Sequence, residues 1–224
     1  MNNYCCTNTG CNPCPQPTPP IPPQRPCCPC GEDFRKALEL ICCPQLRLLV
    51  DFAAFAFITD DYVLGTPLTT PTAGTTPSDN LTAPAGTYTC GSDNCETVTV
   101  SGILYPAEAD GAALAPVVTQ AALCRLKAIS FTAAATTTET IAVNFQTISQ
   151  TLSQLLRPQR PEICCSVAGA LTTAAAVRAS TVIAGPLVVQ NSTILGQLGS
   201  ILVMANSTDS RFYFICANEI DFMG

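Results

Sequence analysis

Between Asn12 and Gly31 the chain carries prolines at positions 13, 15, 17, 19, 20, 22, 23, 26 and 29. Each fixes φ near the polyproline value and removes a backbone donor, so the stretch can be neither helix nor central strand and is expected to form an extended, semi-stiff arm. The first 43 residues also hold nine of the fifteen cysteines. Whatever folds must therefore fold after the arm, and the arm must do something with its thiols.

The thiols come largely in adjacent pairs: Cys5-Cys6, Cys27-Cys28, Cys42-Cys43 and, far downstream, Cys164-Cys165. Neighbouring Cα atoms sit about 3.8 Å apart, below the roughly 4.4 to 6.8 Å that a disulfide spans, so each pair calls for two separate partners. On an arm with no core to choose those partners, the simplest outcome is bonding to other copies of the chain. Cys11, Cys14 and Cys30 complete the leader's set of cross-linking candidates, with Cys164 and Cys165 joining them later. Cys90 and Cys95 differ, because Gly91-Ser92-Asp93-Asn94 between them reads as a tight turn and makes an intrachain hairpin disulfide plausible.

Two other uses of the thiols are open. Cys11-Asn-Pro-Cys14 with Cys27, Cys28 and Cys30 could supply thiolates for zinc or copper(I), but the second half lacks a C-x-x-C and the chain contains no histidine. No resident metal or cofactor is expected. A redox C-x-x-C needs a strand before it and a helix after it, and this one stands in Pro/Asn-rich sequence.

Hydrophobic residues make up 47% of the 224-residue chain, ample for a core beyond the arm. Charged residues make up only 12%, about half the usual share, which leaves the surface poorly protected from self-association. With net charge −6 and no Lys/Arg cluster, neither nucleic acid nor an anionic membrane is an expected partner. The opening Met-Asn-Asn-Tyr-Cys-Cys has no basic n-region and no apolar h-region, so synthesis without a secretory signal is expected, and no apolar run is long enough to span a bilayer.

Along the chain, Glu32-Asp33 precede Phe34, Ala37, Leu38, Ile41 and Cys42 at helical spacing, and Pro44 ends the run. Phe52 to Ile58 reads as a buried strand, Tyr62 to Leu68 as an extended continuation, residues 69 to 96 as a Thr/Pro/Gly-rich loop, and Glu96 to Tyr105 as a strand with a possible bulge at Gly102. A loop is expected over Pro106 to Ala115 and a strand over Cys124 to Phe131. Thr136-Thr-Thr-Glu139 has capping-box spacing, and Ile141, Phe145, Ile148, Leu152 and Leu155 share a helical face before Pro158, although Ile141 to Phe145 also fits a strand. Pro158 to Pro161 repeats Pro23 to Pro26, and Ile163-Cys-Cys165 repeats Ile41-Cys-Cys43, which suggests a new unit. Ser180 to Gln190 reads as a strand containing Gly185-Pro186. Ile194 to Met204 is an apolar run broken by Gly196 and Gly199, a turn follows at Asn206 to Asp209, and Arg211 to Phe222 alternates with Phe212, Phe214 and Cys216 on one face.

The expected fold is thus mainly β with two or so helices, organised as one or two small barrel or sandwich units behind the arm. The expected divisions are an arm over 1–31, a helix and first β unit over 32–131, a helical connector over 132–163 and a second β unit over 164–224. The order of strands and bends in the last unit resembles Sm-like and SH3-like small barrels.

Catalysis finds little to work with. Without histidine there is no Ser-His or Cys-His pair, and no Walker A or G-x-G-x-x-G loop is present. Asp60-Asp61 and Glu108-x-Asp110 are turn and loop acids. The sequons at Asn80, Asn191 and Asn206 read as turn chemistry.

The Cys/Pro leader, the paired cysteines and the Thr/Ala-rich β body together resemble the cysteine-rich spore coat or exosporium proteins of Clostridia and Bacilli. That resemblance implies a structural, non-enzymatic building block at the spore surface, made in the mother-cell cytoplasm. It would assemble with itself, and with other cysteine-rich coat proteins, through intermolecular disulfides. A metal-binding protein and a surface-displayed adhesin remain the alternatives.

Overall fold

The computed structural model describes residues 30–70, 79–94, 96–135, 137–156 and 178–223. The arm up to residue 29 and the second Pro/Cys segment, 157–177, lie outside them.

The first helix, α1 (Gly31–Ile41), buries Phe34, Ala37, Leu38 and Ile41, the face that the spacing predicts. Strands β1 (Val50–Ile58), β2 (Tyr62–Leu64), β3 (Thr87–Asp93), β4 (Thr97–Pro106), β5 (Ala115–Ala122) and β6 (Ala128–Ala133) follow. After the second helix, α2 (Thr138–Leu155), come β7 (Arg178–Ala184), β8 (Leu187–Leu198), β9 (Ile201–Asn206), β10 (Arg211–Cys216) and β11 (Ile220–Met223). The fold is mainly β with two helices, as the sequence indicates.

The eleven strands of the described residues join one antiparallel sheet in the order β11-β7-β8-β9-β10-β6-β1-β2-β4-β3, with β5 paired to β4. The two β units read from the sequence share this sheet, because β6 of the first lies between β1 and β10 of the second. Its middle strands, β9, β10, β6 and β1, are apolar on both faces, and period-2 alternation sends successive side chains into two different cores. Phe212, Phe214, Phe131, Phe55 and Val203 enter the core beneath the helices. Tyr213, Ile215, Met204, Ala56 and Ile58 enter the opposite one.

Each end of the sheet closes over a different face. β3 and β4 bring Tyr88, Val98 and Val100 into the helix-side core. There Phe55 and Gly86 exchange backbone hydrogen bonds of 2.8 Å in each direction, drawing β3 back onto β1. Glycine is required at that crossing: a Cβ on Gly65, whose φ is +99, would lie 2.3 Å from the Phe55 carbonyl oxygen, and one on Gly86 would lie 2.6 Å from it. At the other end β7, β8 and β11 bring Val182, Leu187, Val189 and Ile220 over the opposite face.

An aromatic ladder seats α2. Phe55, Phe131 and Phe212 are cross-strand neighbours in register, with ring centroids 5.5 and 5.2 Å apart, and the ring of Phe145 on α2 lies tilted against Phe212 with centroids 4.9 Å apart. Ile141 to Phe145, which also fits a strand, is helical because Ile148 and Leu152 carry the buried stripe on from Phe145. Leu155, expected on that face, is exposed, and Leu156 is buried instead.

Several local expectations shift. The cap of α2 is Thr137, whose hydroxyl accepts from the Thr140 amide, one residue past the expected Thr136. β5 begins at Ala115, inside the expected loop. Cys124 stands in a 3-10 turn, Leu123–Arg125, because the chain must leave β4's side and swing to pair with β1. Gly185-Pro186 forms the β7–β8 turn, since a proline cannot donate to an interior ladder and Gly185 takes φ +54. At Gly102 the β4–β5 register shifts on both sides, the irregularity that its glycine suggests.

Candidate functional site

Helix α1 is where the arm meets the body, and both of its ends are covalently fastened. Cys30, at the N-cap, is bonded to Cys216 at the end of β10, with Cα atoms 5.8 Å apart. Cys42, at the C-cap, is bonded to Cys90 on β3, with Cα atoms 5.7 Å apart. Both separations fall in the ordinary disulfide range.

These bonds correct two expectations. Cys30 and Cys42, grouped with the arm's intermolecular cross-linkers, close within the chain. They flank a helix packed on the core, so the body supplies the partners that an isolated arm would lack. Cys90 joins Cys42 rather than Cys95, which lies outside the described residues. The reason is strand periodicity: Cys90 is two residues after buried Tyr88, so it shares the face turned toward α1. The Tyr88 hydroxyl stands 3.8 Å from the Cys42 sulfur.

Cys216 was not singled out as a bonding residue by sequence reasoning. Its signal was present, since it alternates with Phe212 and Phe214 and so faces the core that α1 covers. Cys124 is also disulfide-bonded.

Polar contacts reinforce the N-terminal fastening. The Asp33 carboxylate, in the first turn where the helix dipole favours an anion, accepts hydrogen bonds from the Ser200 amide at 2.8 Å and the Ser200 hydroxyl at 2.7 Å. That approach needs Gly199 in the β8–β9 turn, because a Cβ there would lie 2.4 Å from the Asp33 carboxyl carbon.

Cys43 completes the arrangement. It is half-buried and holds a free thiol, while its neighbour Cys42 is turned inward to Cys90. The two adjacent sulfurs are not bonded to each other, Cys42 having a partner within the chain and Cys43 none. The remaining cross-linking candidates, Cys5, Cys6, Cys11, Cys14, Cys27, Cys28, Cys164 and Cys165, lie outside the described residues.

Among the described residues, the opposite core contains no cysteine. Arg211 reaches Asp79 at 2.8 Å and the Leu81 carbonyl at 2.7 Å, and the two charged side chains are only 7% and 2% exposed. Burial pushes the Asp79 carboxyl up to about 6, with nearby Asp209 adding to the rise and Arg211 opposing it. Beside it, the Asn80 amide donates to the Pro186 carbonyl at 2.9 Å and its oxygen accepts from the Val188 amide at 2.8 Å, tying this segment to the β7–β8 hairpin. Asn206 likewise accepts from Thr208 within its turn. Asn206 thus serves a turn, as expected, whereas the Asn80 side chain makes long-range bonds to the β7–β8 hairpin rather than local turn bonds.

Among the described residues, no cluster of three or more Cys, Asp or Glu side chains is placed to hold a metal ion. No helix among them is long and apolar enough to cross a membrane.

A family model described as spore coat protein CotA-like matches residues 27–224. The chain is also 26% identical over 254 aligned positions to spore coat protein CotA of Clostridioides difficile (strain 630), covering 88% of this chain and 83% of that protein. No solved structure matches it.

Proposed function

The chain belongs to the family of CotA-like spore coat proteins, and from that premise we propose that it is a self-assembling structural component of the spore surface whose copies are joined by intermolecular disulfides. It acts as a building block rather than an enzyme. Synthesis in the mother-cell cytoplasm followed by oxidation at the spore surface accounts for a chain so rich in thiols.

The observation that carries this reading is the division of labour around α1. Cys30 and Cys42 spend their sulfurs inside the body, so the helix to which the arm attaches is fixed against pull. Cys43 stays free beside the anchored Cys42. A tether stitched to its neighbours transmits load to its root, and here the root is stapled on either side. The leader pairs, with Cys164 and Cys165, are the sulfurs that reach other copies, at the high effective concentration that a layer provides.

Native protein taken from spores should run as a ladder, or fail to enter the gel, without reductant and collapse to one band with it. Mass spectrometry of unreduced peptides should then find Cys30–Cys216 and Cys42–Cys90 within one chain, and leader cysteines joined between chains. A monomer in both lanes overturns the proposal, as does a leader whose bonds all close on its own chain.

A further inference from the structure

Beside the turn between β1 and β2 lies a groove of about 360 Å³. Its floor is apolar, built by Phe57, Leu64 and Leu104, and Gln120 of β5 stands on one wall. Tyr62, 46% exposed, and the acids Asp60 and Asp61 line it on the turn side, with Arg125 also on its lining. Asp60 is held by Lys127 at 3.2 Å. The Asp61 side chain is exposed and engages no partner among the described residues.

Apolar grooves edged by aromatic side chains are suited to polyproline segments, which arrive already extended and lose little entropy on binding. The arm supplies such a segment in Pro20-Ile-Pro-Pro-Gln-Arg-Pro26. With three residues per turn, Pro20, Pro23 and Pro26 fall on one side of a polyproline helix, and Arg25 projects from a neighbouring side. The charge complements Asp61.

The attachment point favours the chain's own arm. Cys30 is bonded to Cys216, whose amide donates to the Lys127 carbonyl at 2.8 Å, and Arg125 is two residues before Lys127. Arg25 is five residues before Cys30, a reach of up to ~17 Å when extended. A tether that short gives an intramolecular ligand an effective concentration on the order of millimolar.

We propose that this groove is the docking site for the chain's own Pro20–Pro26 segment, with the apolar floor receiving proline rings and the Asp61 carboxylate pairing with Arg25. Docking would hold the adjoining Cys27 and Cys28 near the body while neighbours assemble. It goes beyond the cross-linking role, and the two can fail independently.

The test places a photo-crosslinker in the groove of the full chain, Gln120→p-benzoylphenylalanine, with irradiation before any reductant is added. After reduction and digestion, the adduct is expected on the peptide holding residues 20–26, in material that runs as a monomer. Arg25→Glu should lower the yield about fivefold, the size of a roughly 1 kcal/mol ion pair. Combining it with Asp61→Arg should restore the yield, and because Asp61 is exposed its replacement leaves the buried cores untouched. An adduct on a second copy's arm, on the Arg157–Pro161 repeat or on no Pro-rich peptide overturns the proposal. So does a double variant that fails to recover.

Discussion

The two faces of the sheet are closed by different chemistry. On the helix side, α1 is held by two disulfides and by Asp33 against Ser200. On the other, a core that among the described residues holds no cysteine is closed by the Asp79–Arg211 pair and the side chain of Asn80. Both faces bury ample apolar surface, so the difference is not one of core size. The two described disulfides stand on the face that α1 covers, one at each end of that helix. The lesson is that, among the described residues, oxidation tightens the helix-covered face and ordinary noncovalent forces close the other.

Reducing the protein should separate the two faces most sharply. Loss of each staple is expected to cost about 2–5 kcal/mol, so denaturant midpoints should fall well below those of the oxidised chain. Amide exchange should rise first in α1 and least in β9 and β10. Equal protection of α1 in both redox states would show that packing alone holds the helix face.

Next in size, Arg211→Met leaves Asp79 buried without its partner and should cost about 3–5 kcal/mol. The contrast predicts that this loss is the same with and without reductant. Adding Asp79→Asn to it should recover much of the loss, because no uncompensated charge then remains.

A smaller effect is expected from Asn80→Ala, which orphans the Val188 amide on a partly buried link. About 1–3 kcal/mol should be lost, with exchange rising locally in the β7–β8 hairpin. A uniform rise across both faces would mean that the hairpin and the helix side open together.

The pH dependence is the finest of these tests. The folded Asp79 carboxyl, raised to about 6 by burial, keeps its proton longer than the unfolded one does. Its contribution to stability is therefore greatest below about pH 4 and declines as pH rises toward about 6. Subtracting the stability profile of Asp79→Asn from that of the parent chain should expose this downward slope. A flat difference would place Asp79 in an environment wetter than the geometry indicates.

Much was legible in the chain because period and punctuation are local. The stripe of Phe34, Ala37, Leu38 and Ile41 announces α1, and the alternation of Phe212, Phe214 and Cys216 announces β10. Less legible were the elements whose form depends on distant partners. Leu123 to Arg125 is a turn only because β5 and β6 pair with different strands, and the second half of the β1–β2 continuation dissolves at Gly65 because Phe55 and Gly86 converge there. Asp79 and Arg211, 132 positions apart, gave no local sign of meeting.

By itself, the sequence determined a β body with two helices and adjacent cysteines set closer than an ordinary disulfide spans, since both follow from the geometry of one or a few consecutive residues. Only the tertiary structure decided which sulfurs close within the body. A disulfide forms where two Cα atoms come within about 6 Å with their side chains facing. For Cys30 and Cys216 that meeting required the whole sheet to carry residues 186 positions apart to opposite sides of one helix end.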